Sequence, residues 1–178
     1  WSLLPRLGFS FPVTDHDVFH FFYGHFFQMP ALDNVYNQAN QRIDSANSIV
    51  GNPDLEWEKT ISYEVGVRHS FGLNTMMSFS GFFKDIDNLM QIGKVEDVKG
   101  NVFRTYLNDT YGTVRGIELL LNQRSGQFLS GEASYTYQVA TTSHSDSRDT
   151  YGLEDAFADL PGKEYPADWD QRHAVTVN

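Results

Sequence analysis

Three histidines close together near the start of the chain, His16, His20 and His25, are the first residues whose type and spacing suggest chemistry. Imidazole is a common metal ligand, but a zinc centre needs three or four donors converging on one point. His16 and His20 share one side of an extended segment only if that segment begins early, and His25 then faces the other way. No clustered carboxylate completes the set, so no metal ligand is assigned and the three are read as turn and interfacial histidines. A second group is acidic: Asp146, Asp149, Glu154, Asp155, Asp159, Asp168 and Asp170. It lacks the alternate-residue spacing and closing glutamate of a calcium loop, and reads as a solvated acidic loop. Glu118 and Glu132 would act as the paired carboxylates of a glycosidase only if their strands held them face to face. Polar neighbours make them residues of a wall instead. Ser, His and Asp all occur, but without a G-x-S-x-G nucleophile elbow. No catalytic residue and no cofactor is expected, and the chain is not read as an enzyme.

What the sequence carries instead is a pattern of elements. Thr60–Phe71, T-I-S-Y-E-V-G-V-R-H-S-F, alternates with a period of two. Ile61, Tyr63, Val65, Val67 and Phe71 fall on one face of an extended strand; Glu64 and Arg68 fall on the other, and His69 interrupts the apolar row. Similar runs flank it. Leu4–Val13 carries Phe9 against Arg6, and Val18–Phe27 carries Phe21, with Phe22 and Phe26 on its opposite side beside His20 and Gly24. Thr75–Asp85 carries Phe79 against Lys84, and Gly112–Arg124 carries Ile117, Leu119 and Leu121 against Glu118. Gln127–Ala140 carries Tyr135 and Tyr137 against Glu132, and a last strand begins near Gln171. The connections between these runs go short, long, short, long, short, long, the long ones being Gln28–Lys59, Ile86–Thr110 and Thr141–Asp170. Some strand is expected at Val102–Leu107 within the second.

That rhythm is the rhythm of an up-and-down transmembrane β-barrel, with short turns at one rim and long loops at the other. The fold expected is therefore all-β: an antiparallel barrel wall of about seven strands, each long enough to cross hydrocarbon when tilted. Phe9, Phe21, Ile61, Tyr63, Val65, Val67, Phe71, Phe79, Ile117, Leu119, Leu121, Tyr135 and Tyr137 would face lipid. Arg6, Glu64, Arg68, Lys84, Glu118 and Glu132 would face the lumen, since a cation turned to mid-membrane lipid costs about 2–4 kcal/mol. A soluble β-sandwich, such as a carbohydrate-binding module, would alternate in the same way and is the rival architecture.

Composition bounds the function. A net charge of −10 argues against nucleic-acid binding through basic patches. Mean hydropathy of −0.41 and the lack of a long apolar run exclude a membrane-spanning helix, though not a barrel whose strands are half polar. With no cysteine there are no disulfides or thiolate metal sites. The start at Trp1 and the stop within the alternating run His173–Asn178 read as the ends of a piece of a longer polypeptide.

Asn52-Pro53-Asp54-Leu55-Glu56-Trp57-Glu58-Lys59-Thr60, running into Ser62-Tyr63-Glu64-Val65-Gly66, resembles the NPDLKPE-x-T-x-x-YE-x-G segment of TonB-dependent outer-membrane receptors, with Trp57 in place of the usual proline. Pro5–Ser10, Tyr23–Pro30, Phe82–Ile86, Tyr111–Glu118 and Asp168–His173 are similar to other barrel segments of that family, in particular of members with a carboxypeptidase-regulatory-like N-terminal domain. The resemblance implies that residues 1–178 are part of the later half of a 22-stranded barrel whose lumen is filled by a plug. The plug and the box that contacts TonB lie outside these residues. It also implies the outer membrane of a Gram-negative-type bacterium and import of a bulky nutrient of siderophore, oligosaccharide or peptide class. Partners implied are outer-membrane lipid and lipopolysaccharide, the TonB complex through the plug, the nutrient, and a surface lipoprotein. Cargo contact is assigned by position to Trp57, Tyr106, Tyr111 and Trp169, whose flat faces suit sugars and aromatic chelates, with loop packing as the alternative. A passive porin is the rival function.

Overall fold

The computed structural model describes residues 3–36, 49–96, 98, 100, 102–124, 130–143 and 164–178. They form one antiparallel meander. Strands β1 (Arg6–Pro12), β2 (Asp17–Gln28), β4 (Glu58–Phe71), β5 (Thr75–Glu96), β6 (Val102–Gln123) and β7 (Gly131–Thr142) pair in that order, and β9 (His173–Val177) pairs with β7. Two-residue strands β3 (Ile49–Val50) and β8 (Tyr165–Pro166) add to β6 and β7, and a short helix α1 (Leu32–Tyr36) sits between β2 and β3. No second layer packs on the sheet among the described residues, which favours the expected barrel wall over its rival, the sandwich. The acidic residues Asp146, Asp149, Glu154, Asp155 and Asp159 lie outside the described residues.

Register decides which residues share a face. Phe9 stands opposite Phe21, Phe21 opposite Val65, Val65 opposite Gly81, Gly81 opposite Ile117, and Ile117 opposite Tyr137. Directly opposed residues point the same way. Apart from Leu89 opposite Thr110, every register couples odd to odd and even to even along the wall, so the odd-numbered residues of the seven long strands form one face and the even-numbered residues the other. Close approach on the even face requires glycine at Gly66, where a Cβ would lie 2.6 Å from the Phe79 carbonyl, and at two further places. A Cβ at Gly116 would lie 2.3 Å from the Tyr137 carbonyl, and one at Gly24 would lie 2.8 Å from the Phe22 ring. Gly24 thus makes room for Phe22 and Phe26, whose rings meet at 6.2 Å beneath the Arg6 guanidinium, 4.7 Å above Phe26. That pair is the apolar material inside the second strand.

The second long connection differs from expectation. Ile86–Thr110 is mostly ladder: β5 and β6 stay paired out to Glu96 opposite Val102. The alternation is lost at Asp85–Asn88 because the register shifts twice, between Ile86 and Leu89 and again between Leu89 and Met90. A β-bulge puts one extra residue in a strand and breaks the period of two while the pairing continues. Asn88 takes a left-handed φ of 60°, a conformation that asparagine tolerates better than most residues.

Candidate functional site

The odd face is apolar and open. Val65, Phe79, Ile117 and Leu119 are 46%, 50%, 42% and 39% exposed although they sit mid-strand in a continuous sheet. Ser62 and Ser80 on the even face are 9% exposed. Rings line up along this open face, with Phe9–Phe21 centroids at 5.3 Å, Phe11–Phe19 at 5.2 Å and Tyr23–Tyr63 at 5.1 Å. All thirteen residues expected to face lipid lie on it, with Phe21, Ile61, Tyr135 and Tyr137 half-buried among their neighbours. Tyr135 also hydrogen-bonds His173 through its hydroxyl at 2.9 Å. A shallow depression of about 710 Å³ is lined mostly by odd-face residues, Phe21, Tyr63, Val65, Gly81, Phe83, Arg115, Ile117, Tyr137 and Val139, together with Glu64, Phe82 and Gly116 of the same strands. Arg115 went unplaced in the sequence reading. Its parity with Ile117 is the signal that sets it on the apolar face.

The even face carries most of the strand charges, while Asp17, Lys59, Asp85, Asp87 and Arg115 fall on the odd one. Arg6, Glu64, Arg68, Lys84, Glu118 and Glu132 share the even face. Glu64 Oε1 lies 3.4 Å from His20 Nε2, Lys84 lies 5.5 Å from the Phe82 ring centre, and Asn122 donates to Glu132 at 2.9 Å. Glu118 is opposite Thr136 while Glu132 is opposite Asn122, four residues further along. At the strand rise this separates the carboxylates by roughly 13 Å, beyond the spacing of a glycosidase pair. The histidines are likewise dispersed. His20 is on the even face, His25 on the odd face against Tyr23, and His16 in the first turn with its ring 6.4 Å from His69. His69 in turn bonds Asp17 at 2.7 Å.

At the loop end, Asn52–Glu58 is stitched to the projecting β5–β6 hairpin. Asn52 accepts from the Asp54 amide at 2.9 Å, closing a turn, and donates to the Tyr106 carbonyl at 2.8 Å. The Glu56 amide donates to Asn108 Oδ1 at 2.8 Å, Asn88 donates to the Glu56 carboxylate at 2.9 Å, and Asn108 donates to the Asn88 carbonyl at 2.7 Å. A second fastening joins the last strand. Asp170 accepts from the Ala140 amide at 2.9 Å and from Arg172, while the Ala167 amide donates to the Ala140 carbonyl at 3.0 Å. Ala140, Val114 and Ala167 form a small core there, with Phe82 and Ile86 against it. The Arg172 hydrogen bond, then that of the Ala140 amide, hold the Asp170 carboxyl below the ordinary carboxylate range.

The residues assigned to cargo do not converge. Trp57 is 53% exposed and meets Phe27 edge-on at 6.2 Å. Tyr111 is 41% exposed and borders a polar depression of about 400 Å³ with Lys59, Asp87, Asn88, Asn108 and Thr110. Tyr106 is opposite Ile92 in the hairpin, and Trp169, 46% exposed, sits in the Asp168–Asp170 turn.

The family model for the TonB dependent receptor-like β-barrel matches residues 1–176. The chain belongs to that family. TonB-dependent receptors are transport receptors of the Gram-negative outer membrane, not enzymes, and the outer membrane is where this barrel wall resides. Among solved structures, the chain is similar to the siderophore receptor PirA from Pseudomonas aeruginosa, at 18% identity and a TM-score of 0.57, over 78% of this chain and 29% of that one. It is also similar to the copper transporter OprC, at 17% identity and a TM-score of 0.52, over 76% of this chain and 20% of that one. The chain thus spans less than a third of the length of either, and the likeness is one of fold. No curated protein matches the chain.

Proposed function

We propose that residues 1–178 are part of the barrel domain of an energy-coupled importer of a bulky nutrient, with the odd face against lipid and the even face toward the lumen. The observation that carries this reading is the single-layer sheet whose open side is apolar: Val65, Phe79 and Ile117 have no protein over them among the described residues. Water would penalise such a face and hydrocarbon would not. The plug and the TonB contact belong to parts of the receptor outside this segment, and the lumen side supplies polar wall rather than reactive groups. The cargo class remains siderophore, oligosaccharide or peptide. PirA and OprC handle a siderophore and copper by their names, which favours metal-chelate cargo only as far as a common fold can. Lipid and lipopolysaccharide surround the outer side, and a surface lipoprotein covers the loop rim.

The test uses cells bearing the full-length receptor, supplied in turn with a ferric siderophore, an oligosaccharide and a peptide as sole source of iron or carbon. Growth on one of them should require both the receptor and TonB. Uptake that persists without TonB would favour a passive pore and overturn the reading.

A further inference from the structure

Arg115 stands on the apolar face with Phe83 opposite on one side and Val139 on the other. It is exposed and has no hydrogen-bond or ion-pair partner among the described residues. The nearest carboxylate on that face, Asp85, is opposite Thr113, one residue pair further toward the loops, and does not pair with it. The anion that neutralises Arg115 therefore has to come from outside the sheet. Depth limits what that anion is. From Gln123, at the short-turn end, to Arg115 is eight residues of strand, roughly 26 Å at the strand rise and about 19 Å of height at a tilt near 45°. In an apolar band about 25 Å tall that is the upper quarter, where outer-leaflet headgroups begin.

Gly81, one pair below, leaves the floor of the depression bare. A Cβ built there would meet nothing nearer than the Gly116 carbonyl, at 3.9 Å, so the sheet itself does not demand glycine. The walls, Phe21, Val65, Ile117 and Tyr137, are apolar. A cation at the head of an apolar trough matches an amphiphile with an anionic head and a hydrocarbon tail, and a planar guanidinium suits phosphate bidentately. We propose that Arg115 and the Gly81 depression seat a phosphorylated lipid of the outer leaflet, its phosphate on the guanidinium and an acyl chain over Gly81. The proposal rests on the odd face being the lipid face.

The full-length receptor, reconstituted into phosphatidylethanolamine nanodiscs doped with diphosphorylated lipid A or its dephosphorylated counterpart, is ejected for native mass spectrometry and the retained lipid A counted. The wild type should retain the diphosphorylated form about fivefold over the other, as expected for one lipid-proximal cation. Arg115→Gln should abolish that preference and Arg115→Lys should keep part of it. Gly81→Leu should lower retention of both forms alike. Equal retention by wild type and Arg115→Gln overturns the proposal. In parallel, Val65→Cys should react with a lipid-soluble maleimide and resist a water-soluble one. If it does so while Arg115→Gln changes nothing, the lipid seat fails and the face assignment stands; if the water-soluble reagent reaches Val65→Cys, both fail.

Discussion

Single side chains on this wall are judged by which of two solvents they meet. Val65 and Leu119 lie mid-strand on the open face, whereas Ser134, opposite Leu120 and Thr176, lies on the even one. Val65→Arg and Leu119→Arg in the full-length receptor should each cost about 2–4 kcal/mol of membrane stability, and Ser134→Arg clearly less. The yield of heat-modifiable barrel in isolated outer membranes measures this; equal losses from all three would contradict the face assignment. The Asp170 carboxyl has a lowered pKa, so its contribution is complete above the ordinary value of 3.8 and fades as pH falls through the depressed one. Acidification below that range should lower the hydrogen-exchange protection factor of the Ala140 amide, measured against the intrinsic rate at each pH, and Asp170→Ala should leave that protection low at every pH. The division of the wall into an apolar and a polar face was legible in the sequence because parity alone separates the two sets. Arg115 obeys the same parity, but its charge runs against the apolar row it belongs to, so polarity and parity point to opposite faces there.

At the scale of elements, the sequence showed every long strand and misjudged how far two of them run. The period of two identifies a strand only while the pairing is regular, and the bulges at Asn88 and Asp109 hide the further stretch Ile86–Glu96 of β5 behind a broken pattern. The Asn52-Pro53-Asp54 segment read as a turn, and it is one. Its second role, fastening the turn to the hairpin, depends on Tyr106 and Asn108, more than fifty residues away, which no local signal reveals. Asn52→Ala removes both the closing acceptor and the donor to Tyr106, at a cost of about 1–3 kcal/mol. Intact cells carrying that receptor should show faster protease cleavage between β2 and β4 than wild type, with barrel assembly unchanged. Cleavage at the wild-type rate would mean the remaining Glu56 bonds suffice.

As a whole, the described chain is a single sheet with little interior of its own. Its one buried cluster is Val114, Ala140 and Ala167, and the largest apolar side chains are half-buried or exposed. β1 and β9 each have a single neighbour, and bare edges are not tolerated in hydrocarbon. Produced alone, the 178-residue chain should therefore sediment without detergent and remain in solution with it, which ultracentrifugation decides. Cargo identity was not legible at any scale. Trp57, Tyr106, Tyr111 and Trp169 share a residue class but no common surface, and nutrient recognition depends on groups brought together from segments far apart.

The two irregularities in the β5–β6 ladder have opposite sense: one adds a residue to β5, the other to β6, and the pairings Ile86–Gly112 and Met90–Asn108 keep the same offset. They act as a matched pair of phase shifts. Deleting Asn88 alone would slip the projecting hairpin by one residue and turn each of its side chains to the wrong side, while deleting Asn88 and Asp109 together would return it to phase as a regular ladder. Surface display of the hairpin should accordingly be lost in the single deletion and regained in the double.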